Sequence, residues 1–392
     1  MAEQQRRVGL VLAGAGARGA YEAGALAALL PRLEAAQQRP RVLLGTSAGS
    51  INAAYLATQL HRGAEPAARG LLDFWRTLDK SRLLGPLALT AVPALLGYAG
   101  RIVYLPTGSG SIASFGRFQE VLDEAVGDWG RIEANIDADE FDAVGVVATA
   151  AATGGSVVFT QQSSGVELPP VDEVKGISYV GARIRTEHVI ASSSIPVFFP
   201  AKHVDEPAEA RGWYWDGGTR LNTPIAPALA IGVDALLIVA TDPPRHPTAD
   251  QMGEGPRPDF DDAALSVLQA ALDDPFIEDL QALVRVNSLL SASGQEELDG
   301  RRRYEYIFAG PERHGTIGRT AATVLRERYG GPLRALSDFA ILDRLLGRQG
   351  PDQAELQSYL LFDTDFIERL IAMGRADGEA AWRRGWLSDR LP

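Results

Sequence analysis

Three short stretches of this 392-residue chain carry residue types that can do chemistry. In VGLVLAGAGARGAYEAGAL, from Val8 to Leu26, Gly14, Gly16 and Gly19 spell G-x-G-x-x-G behind an apolar run and ahead of a helical pattern. Small residues there expose backbone N–H groups before a helix and present them to negative charge, either a bound pyrophosphate or a short-lived oxyanion. In GTSAGS, from Gly45 to Ser50, Ser47 lies between Gly45 and Gly49 as G-x-S-x-G. A nucleophilic serine needs a sharp strand-to-helix turn that lifts its Oγ off the sheet edge, and glycines two before and two after relieve the crowding. A helix starting directly after Ser47 also aims its free N–H groups and positive dipole end at the serine oxygen. In WYWDGGTRLNTP, Asp216 precedes Gly217 and Gly218, which puts a carboxylate at the end of a strand, where α/β active sites collect.

Each stretch also has a plainer reading. Ser47 fits a helix N-cap in a tight turn, and Asp216 fits a surface Asp-Gly turn. The hydrolytic reading requires a base for the hydroxyl. Asp216 is the strongest candidate; His203 and His246 flank it, but neither lies in a comparable strand-to-glycine-turn context. The five histidines, at 61, 188, 203, 246 and 314, include no i, i+4 pair of the metalloprotease kind. The chain has no cysteine, so disulfides, thiolate metal sites and cysteine nucleophiles are excluded. There is no D-x-D-x-D-G calcium loop, and no metal or cofactor is expected. A dinucleotide site (NAD or FAD) would need an acidic residue about 20 positions beyond the glycines, at the end of the second strand. That strand, RVLL, runs into GTSAGS instead, and Glu34 falls on the intervening helix.

The elements that must position these residues alternate. Val8 to Ala13 is a buried-strand run, Leu26, Leu29, Leu30 and Leu33 recur at helical spacing, Arg41 to Leu44 is a second strand, and GTSAGSINAAYLATQL continues as a helix. This β-α-β-α order predicts an α/β fold: a mostly parallel central sheet with helices on both faces, in three α/β/α layers. FDAVGVVATAAATGGSVVFTQQ carries a hairpin signal around Thr153-Gly154-Gly155. EHVIASSS starts as a helix and yields at Ile195-Pro196 to an extended run. Then come the WYWD strand, a glycine turn, a helix with Pro224 near its start, and a buried strand from Ala235 to Thr241. Residues 243–262 are rich in Pro, Gly and acid and mark a linker between a catalytic domain over 1–242 and a mostly helical region over 263–392, which includes an amphipathic run through Leu265, Leu268, Leu272, Phe276, Leu280 and Leu283 and a last strand at YEYIFAG. This C-terminal region is expected to pack on the catalytic domain.

Composition narrows the function further. With 46% hydrophobic residues the chain can bury a large core, and 50 acidic against 38 basic residues give a formal charge of −12, which argues against a sequence-independent grip on nucleic acid. No signal-peptide apolar region precedes the strand at Val8, so a cytoplasmic protein is expected. The segment 83–103 is almost free of charge, but Pro86, Pro93 and three glycines interrupt it, against the roughly 20 unbroken apolar residues of a spanning helix. It reads as two short buried helices or as a lid or peripheral membrane-contact segment over an apolar pocket.

Taken together and in order, AGAGARGAYEAGAL, GTSAGSINAAYLA and WDGGTRLNTPIAPA resemble the three motifs of the patatin-like phospholipases. ASSSIPVFFPAKHV resembles the segment upstream of that family's Asp-Gly-Gly or Asp-Gly-Ala turn, and YLLFDTDFIERLIAMGRADG is similar to the end of some bacterial members. The resemblance implies a serine acyl hydrolase acting on lipid esters through a Ser-Asp dyad, with Ser47 as nucleophile and Asp216 as general base. It further implies that Gly14, Ala15 and Gly16 donate backbone N–H groups to the oxyanion, and that Arg18 adds positive potential near a head group or helps to hold the loop. Ala15 stands where a glycine is more usual; it still donates its N–H and restricts the loop. The competing readings are a dinucleotide-binding protein, a Ser-His-Asp hydrolase using His246 or His314, and a non-catalytic lipid-binding protein. Oligomeric state, head-group preference and acyl length are left open.

Overall fold

The computed structural model describes residues 6–78, 116–196, 199–245, 276–298, 301–329 and 351–392. The segment 83–103, His246, most of the 243–262 linker and Leu265, Leu268 and Leu272 lie outside the described residues.

The strands are β1 (Val8–Leu12), β2 (Pro40–Thr46), β3 (Ala143–Ala150), β4 (Ser156–Gln162), β5 (Ile177–Gly181), β6 (Lys202–Val204), β7 (Gly212–Asp216), β8 (Ala235–Val239), β9 (Glu297–Leu298), β10 (Arg301–Arg302) and β11 (Glu305–Ala309). The described helices are α1 (Gly19–Ala35), α2 (Ala48–Gln59), α3 (Ala64–Thr77), α4 (Gly116–Val126), α5 (Arg131–Asp137), α6 (Thr186–Ser192), α7 (Ile225–Ile231), α8 (Phe276–Ser293), α9 (Thr316–Tyr329), α10 (Pro351–Leu360) and α11 (Thr364–Arg384).

The main sheet runs β11-β8-β1-β2-β3-β4-β5, with β7 joined to β3 and β6 to β7. The pairs around β1 are parallel: β1 with β2, β1 with β8, β8 with β11 and β2 with β3. The pairs of β3 with β4 and with β7 are antiparallel. The expected hairpin is the β3–β4 pair, closed by the bond from Ala150 N to Gly155 O (2.9 Å). Both faces of the sheet are covered. Leu10, Leu12, Leu43, Leu237 and Val239 point into a core with α1, α2, α3 and α11, while Val11, Val42, Leu44, Leu236 and Ile238 point into a second core with α7 and α8. That alternation is the period of two of a strand buried on both sides. The mostly parallel, helix-covered sheet is the architecture expected from the sequence.

Residues beyond 300 complete this sheet as well as covering it. β11 supplies the strand beside β8, and α11 lies along α1 in glycine-lined contact. A Cβ on Gly374 would stand 1.9 Å from the Tyr21 carbonyl oxygen, and one on Gly24 would stand 2.2 Å from the Ile371 carbonyl oxygen. The buried Tyr21 hydroxyl donates to Asp377 across the same seam (2.6 Å). The α11 N-terminus is capped by Asp363, whose Oδ1 accepts from the N–H groups of Asp365 and Phe366, while Tyr329 of α9 donates to its Oδ2.

Candidate active site

Ser47 is the single residue between β2 and α2, and its backbone sits at φ 51°, ψ −121°. A positive φ on a non-glycine residue is strained by about 1–3 kcal/mol and persists only where neighbours enforce it. Here the Ser47 N–H donates to Ser192 Oγ (2.8 Å), and Ser192 Oγ in turn donates to the Val147 carbonyl on β3 (2.5 Å). The Ser47 carbonyl accepts from the Ser50 N–H (2.9 Å) and the Ser50 hydroxyl (2.6 Å). The flanking glycines are needed for clearance: a Cβ on Gly45 would lie 2.1 Å from the Gly49 carbonyl oxygen, and one on Gly49 would lie 2.5 Å from that of Leu12.

Asp216 ends β7 and is 1% exposed. Its N–H donates to the Ser194 carbonyl (3.0 Å), and its own carbonyl accepts from the hydroxyls of Thr149 (3.1 Å) and Thr219 (2.8 Å). In the carboxylate, Oδ1 accepts from the Gly218 N–H (2.7 Å), and Oδ2 is buried without a hydrogen-bond partner. Burial pushes the Asp216 carboxyl up to about 7, opposed by the Ser47 hydroxyl and the Gly218 N–H. The two side chains are therefore close enough to interact, without a well-formed hydrogen bond between them. Gly217 allows the approach, since a Cβ there would meet the Val147 carbonyl oxygen at 2.3 Å.

The glycine loop lies over this pair. A Cβ on Gly14 would stand 3.3 Å from Ser47 Cβ and 2.1 Å from Asn222 Oδ1. The Gly14 N–H, expected to face an oxyanion, donates instead to the Asn222 carbonyl (2.9 Å). For the Ala15 and Gly16 amides no such backbone partner is found among the described residues. Gly16 begins a one-turn 3-10 helix, Gly16–Arg18, that runs directly into α1, and its φ of +54° is one that a side chain would strain. Gly19 meets α3: a Cβ there would fall 2.3 Å from Trp75 Cζ2.

Arg18 is not turned toward the serine. It is 1% exposed, and its guanidinium is engaged by α10. Beside Ser47 opens a cavity whose wall includes Trp75, Ile195, Phe199, Tyr359, Leu360 and Phe362. Its lining is mostly apolar, with hydroxyls carried by Ser47, Ser193 and Tyr359 among the described residues.

None of the histidines within the described residues lines this cavity. His188 is buried against Phe159, between the Arg185 N–H and the Glu206 carbonyl, and burial lowers its pKa. His203 pairs with Asp205 (3.2 Å), and His314 contacts the Arg245 carbonyl. Glu34, the only acid near the position a dinucleotide site would use, accepts from the Ala64 N–H at the start of α3 (3.1 Å). Among the described residues, no group of three His, Asp or Glu side chains is placed to hold a metal ion. No described helix is long and apolar enough to cross a membrane.

Reading the sequence without the fold missed Ser192, Asn222 and the α10 residues. Ser192 lies within ASSSIP, a stretch whose resemblance was visible but whose chemistry had no spacing signal. Asn222 lies six residues beyond Asp216, in a turn that reads simply as polar.

The family model described as "Patatin-like phospholipase" matches residues 10–229, more than half of the chain. No curated protein matches. Among solved structures, VipD from Legionella pneumophila is similar at 13% identity and a TM-score of 0.35, over 98% of this chain and 68% of that one.

Proposed function

From the premise that this chain belongs to the patatin-like phospholipase family, we propose that it is a serine acyl hydrolase that cleaves fatty acyl esters of lipids, with Ser47 as nucleophile and Asp216 as general base. The observation that carries this reading is Ser47, held at positive φ, facing a buried carboxyl with one unpartnered oxygen.

The steps follow from that pairing. As Ser47 Oγ attacks the ester carbonyl carbon, its proton passes to Asp216, and the carbonyl oxygen becomes an anion facing the amides of Ala15 and Gly16. Collapse of this intermediate breaks the bond to the alcohol, which leaves with the proton from Asp216. Water then attacks the acyl-serine, again giving its proton to Asp216, and the fatty acid departs as Ser47 regains its hydrogen. A carboxylate of ordinary basicity is a poor partner for a serine hydroxyl. A carboxyl raised to about 7 is better matched to the transfer at neutral pH.

The direct test is labelling with a fluorophosphonate followed by peptide mapping. The expected result is one adduct, on Ser47, absent from Ser47→Ala, together with acyl release from phospholipids, lysophospholipids or neutral glycerides. Acyl release retained in full by Ser47→Ala would sink the dyad. Lipid association without labelling or turnover would leave a binding protein.

The cavity wall sets a second expectation, about chain length. Phe362 is one of the side chains that border the cavity, so Phe362→Ala is expected to enlarge the space available to an acyl chain. Each additional buried methylene contributes about 0.8 kcal/mol, close to fourfold in kcat/KM. The ratio of kcat/KM for a C8 ester to that for a C4 ester is expected to rise by at least about fourfold in this variant.

The mostly helical region beyond 262 is, in this proposal, part of the same catalytic unit. The segment 83–103 is a candidate lipid-contact element, to be tested by comparing polar substitutions on vesicles and on a soluble ester.

A further inference from the structure

The cation of the glycine loop is held by the far end of the chain. Arg18 Nε donates to Ser358 Oγ (2.6 Å), one terminal nitrogen donates to the Glu355 carbonyl (2.9 Å) and pairs with the Glu355 carboxylate, and the other stands 3.8 Å from Asp242. The Tyr359 ring covers the guanidinium at 4.1 Å. An arginine cannot shed its charge on burial, so a guanidinium 1% exposed requires such partners. Those that hold it most closely come from α10, and of these Tyr359 also borders the cavity beside Ser47.

The same helix holds the loop a second time through its backbone. The Tyr359 carbonyl oxygen is so close to Gly16 that a Cβ there would come within 2.4 Å of it. Arg18 closes the one-turn helix through its own N–H to the Ala15 carbonyl (3.0 Å). The Ala15–Gly16 turn is thus tied to Arg18 through the Ala15 carbonyl and packed against the Tyr359 backbone at Gly16. Glu355 is itself braced, because its second carboxylate oxygen accepts from the Gly318 N–H of α9 (3.2 Å).

We propose that α10 is a working part of the catalytic site, with Glu355 as a positioning residue that acts through Arg18 to aim the amides of Ala15 and Gly16 at the oxyanion. This rests on the hydrolase reading above. It assigns Arg18 to the loop and not to a substrate head group. Oxyanion donors act over a narrow range of distance, so a loop displaced by about 1 Å loses about a hundredfold in rate while the acyl pocket still binds substrate.

The test uses the full chain with Glu355→Gln, Glu355→Asp and Ser358→Ala, assayed on a soluble p-nitrophenyl ester at a temperature well below the melting point of each. In Glu355→Gln, kcat is expected to fall by about tenfold to a hundredfold with KM within about twofold, and Glu355→Asp is expected to recover part of the loss. A trifluoromethyl ketone, which forms an anionic adduct on the serine, should lose affinity by the same factor as kcat, while a non-hydrolysable ether analogue of the ester binds as before. Unchanged kcat in folded Glu355→Gln and Ser358→Ala overturns the proposal. So does a loss confined to KM, or a fall in kcat without a matching loss of ketone affinity. Ser47→Ala is run alongside: turnover retained there removes the hydrolase reading itself, whereas an inactive Ser47→Ala beside fully active Glu355 variants removes only the positioning role.

Discussion

Asp216→Asn is expected to lower kcat on a soluble ester by about a thousandfold or more and, at pH 8, to make the protein more stable than the parent. Both effects come from the same buried carboxyl. In the folded chain burial holds its pKa up to about 7, well above the ordinary carboxylate value that returns on unfolding. Well below the ordinary carboxylate value, at about pH 2, the group is protonated in both states and contributes no difference. As pH rises from there to about 7, the unfolded chain releases a proton that the folded chain retains, so stability declines across this window. Above about 7 the full penalty applies, with an upper bound of roughly 4 kcal/mol. Asparagine keeps the shape and the acceptor for the Gly218 N–H but carries no charge to desolvate. The gap in unfolding free energy between variant and parent should therefore widen from pH 5 to pH 8, as read from denaturant midpoints. The parent's kcat/KM should rise over the same interval as the base ionises. A stability gap that does not change with pH, or an Asp216→Asn enzyme of near-normal turnover, would contradict the role given to this residue.

The largest purely structural effect is expected at Gly374. The α1–α11 seam brings backbone against backbone, with the hypothetical Cβ of Gly374 only 1.9 Å from the Tyr21 carbonyl oxygen and 3.0 Å from the Ala25 nitrogen. Neither neighbour is the tip of a flexible side chain, so a larger residue cannot be absorbed by a rotamer change. Gly374→Val should force the helices apart, with a loss of about 3 kcal/mol or more, measured as a lowered urea midpoint at unchanged slope. Gly385→Ala provides a contrast at the end of the same helix: its φ of 74° makes it strained, but nothing lies within 4 Å of its Cβ position. Its loss should be smaller and come from the backbone alone.

Much of the candidate site was readable before the fold, as residue types in a local context. Gly45, Ser47 and Gly49 were legible because the strand, turn and helix that a serine elbow requires leave local periodicities on either side. Asp216 was legible as a carboxylate between an aromatic strand and two glycines. The glycine loop was legible as an N–H-rich turn, although its Gly14 amide is taken by Asn222. The buttressing of that loop was not legible. Glu355, Ser358 and Tyr359 follow no spacing that refers to Arg18, and a pairing between distant segments leaves no periodic trace in either one. The close contact at Gly374 and Gly378 was not read from the sequence either, because α1 becomes its partner only once the chain is folded with α11 lying along it.

The bond between Arg18 and Ser358 joins residues 340 positions apart. During synthesis at about 5–20 residues per second, the glycine loop emerges roughly 20–70 s before the helix that holds it. The central strand β1 likewise waits for β8, and β8 for β11. A nascent chain carrying Ser47 and Asp216 but not yet α10 would have both reactive groups and an unsupported loop. On the mechanism proposed above, a chain truncated before α10 is therefore expected to hydrolyse esters poorly even where Ser47 and Asp216 are present.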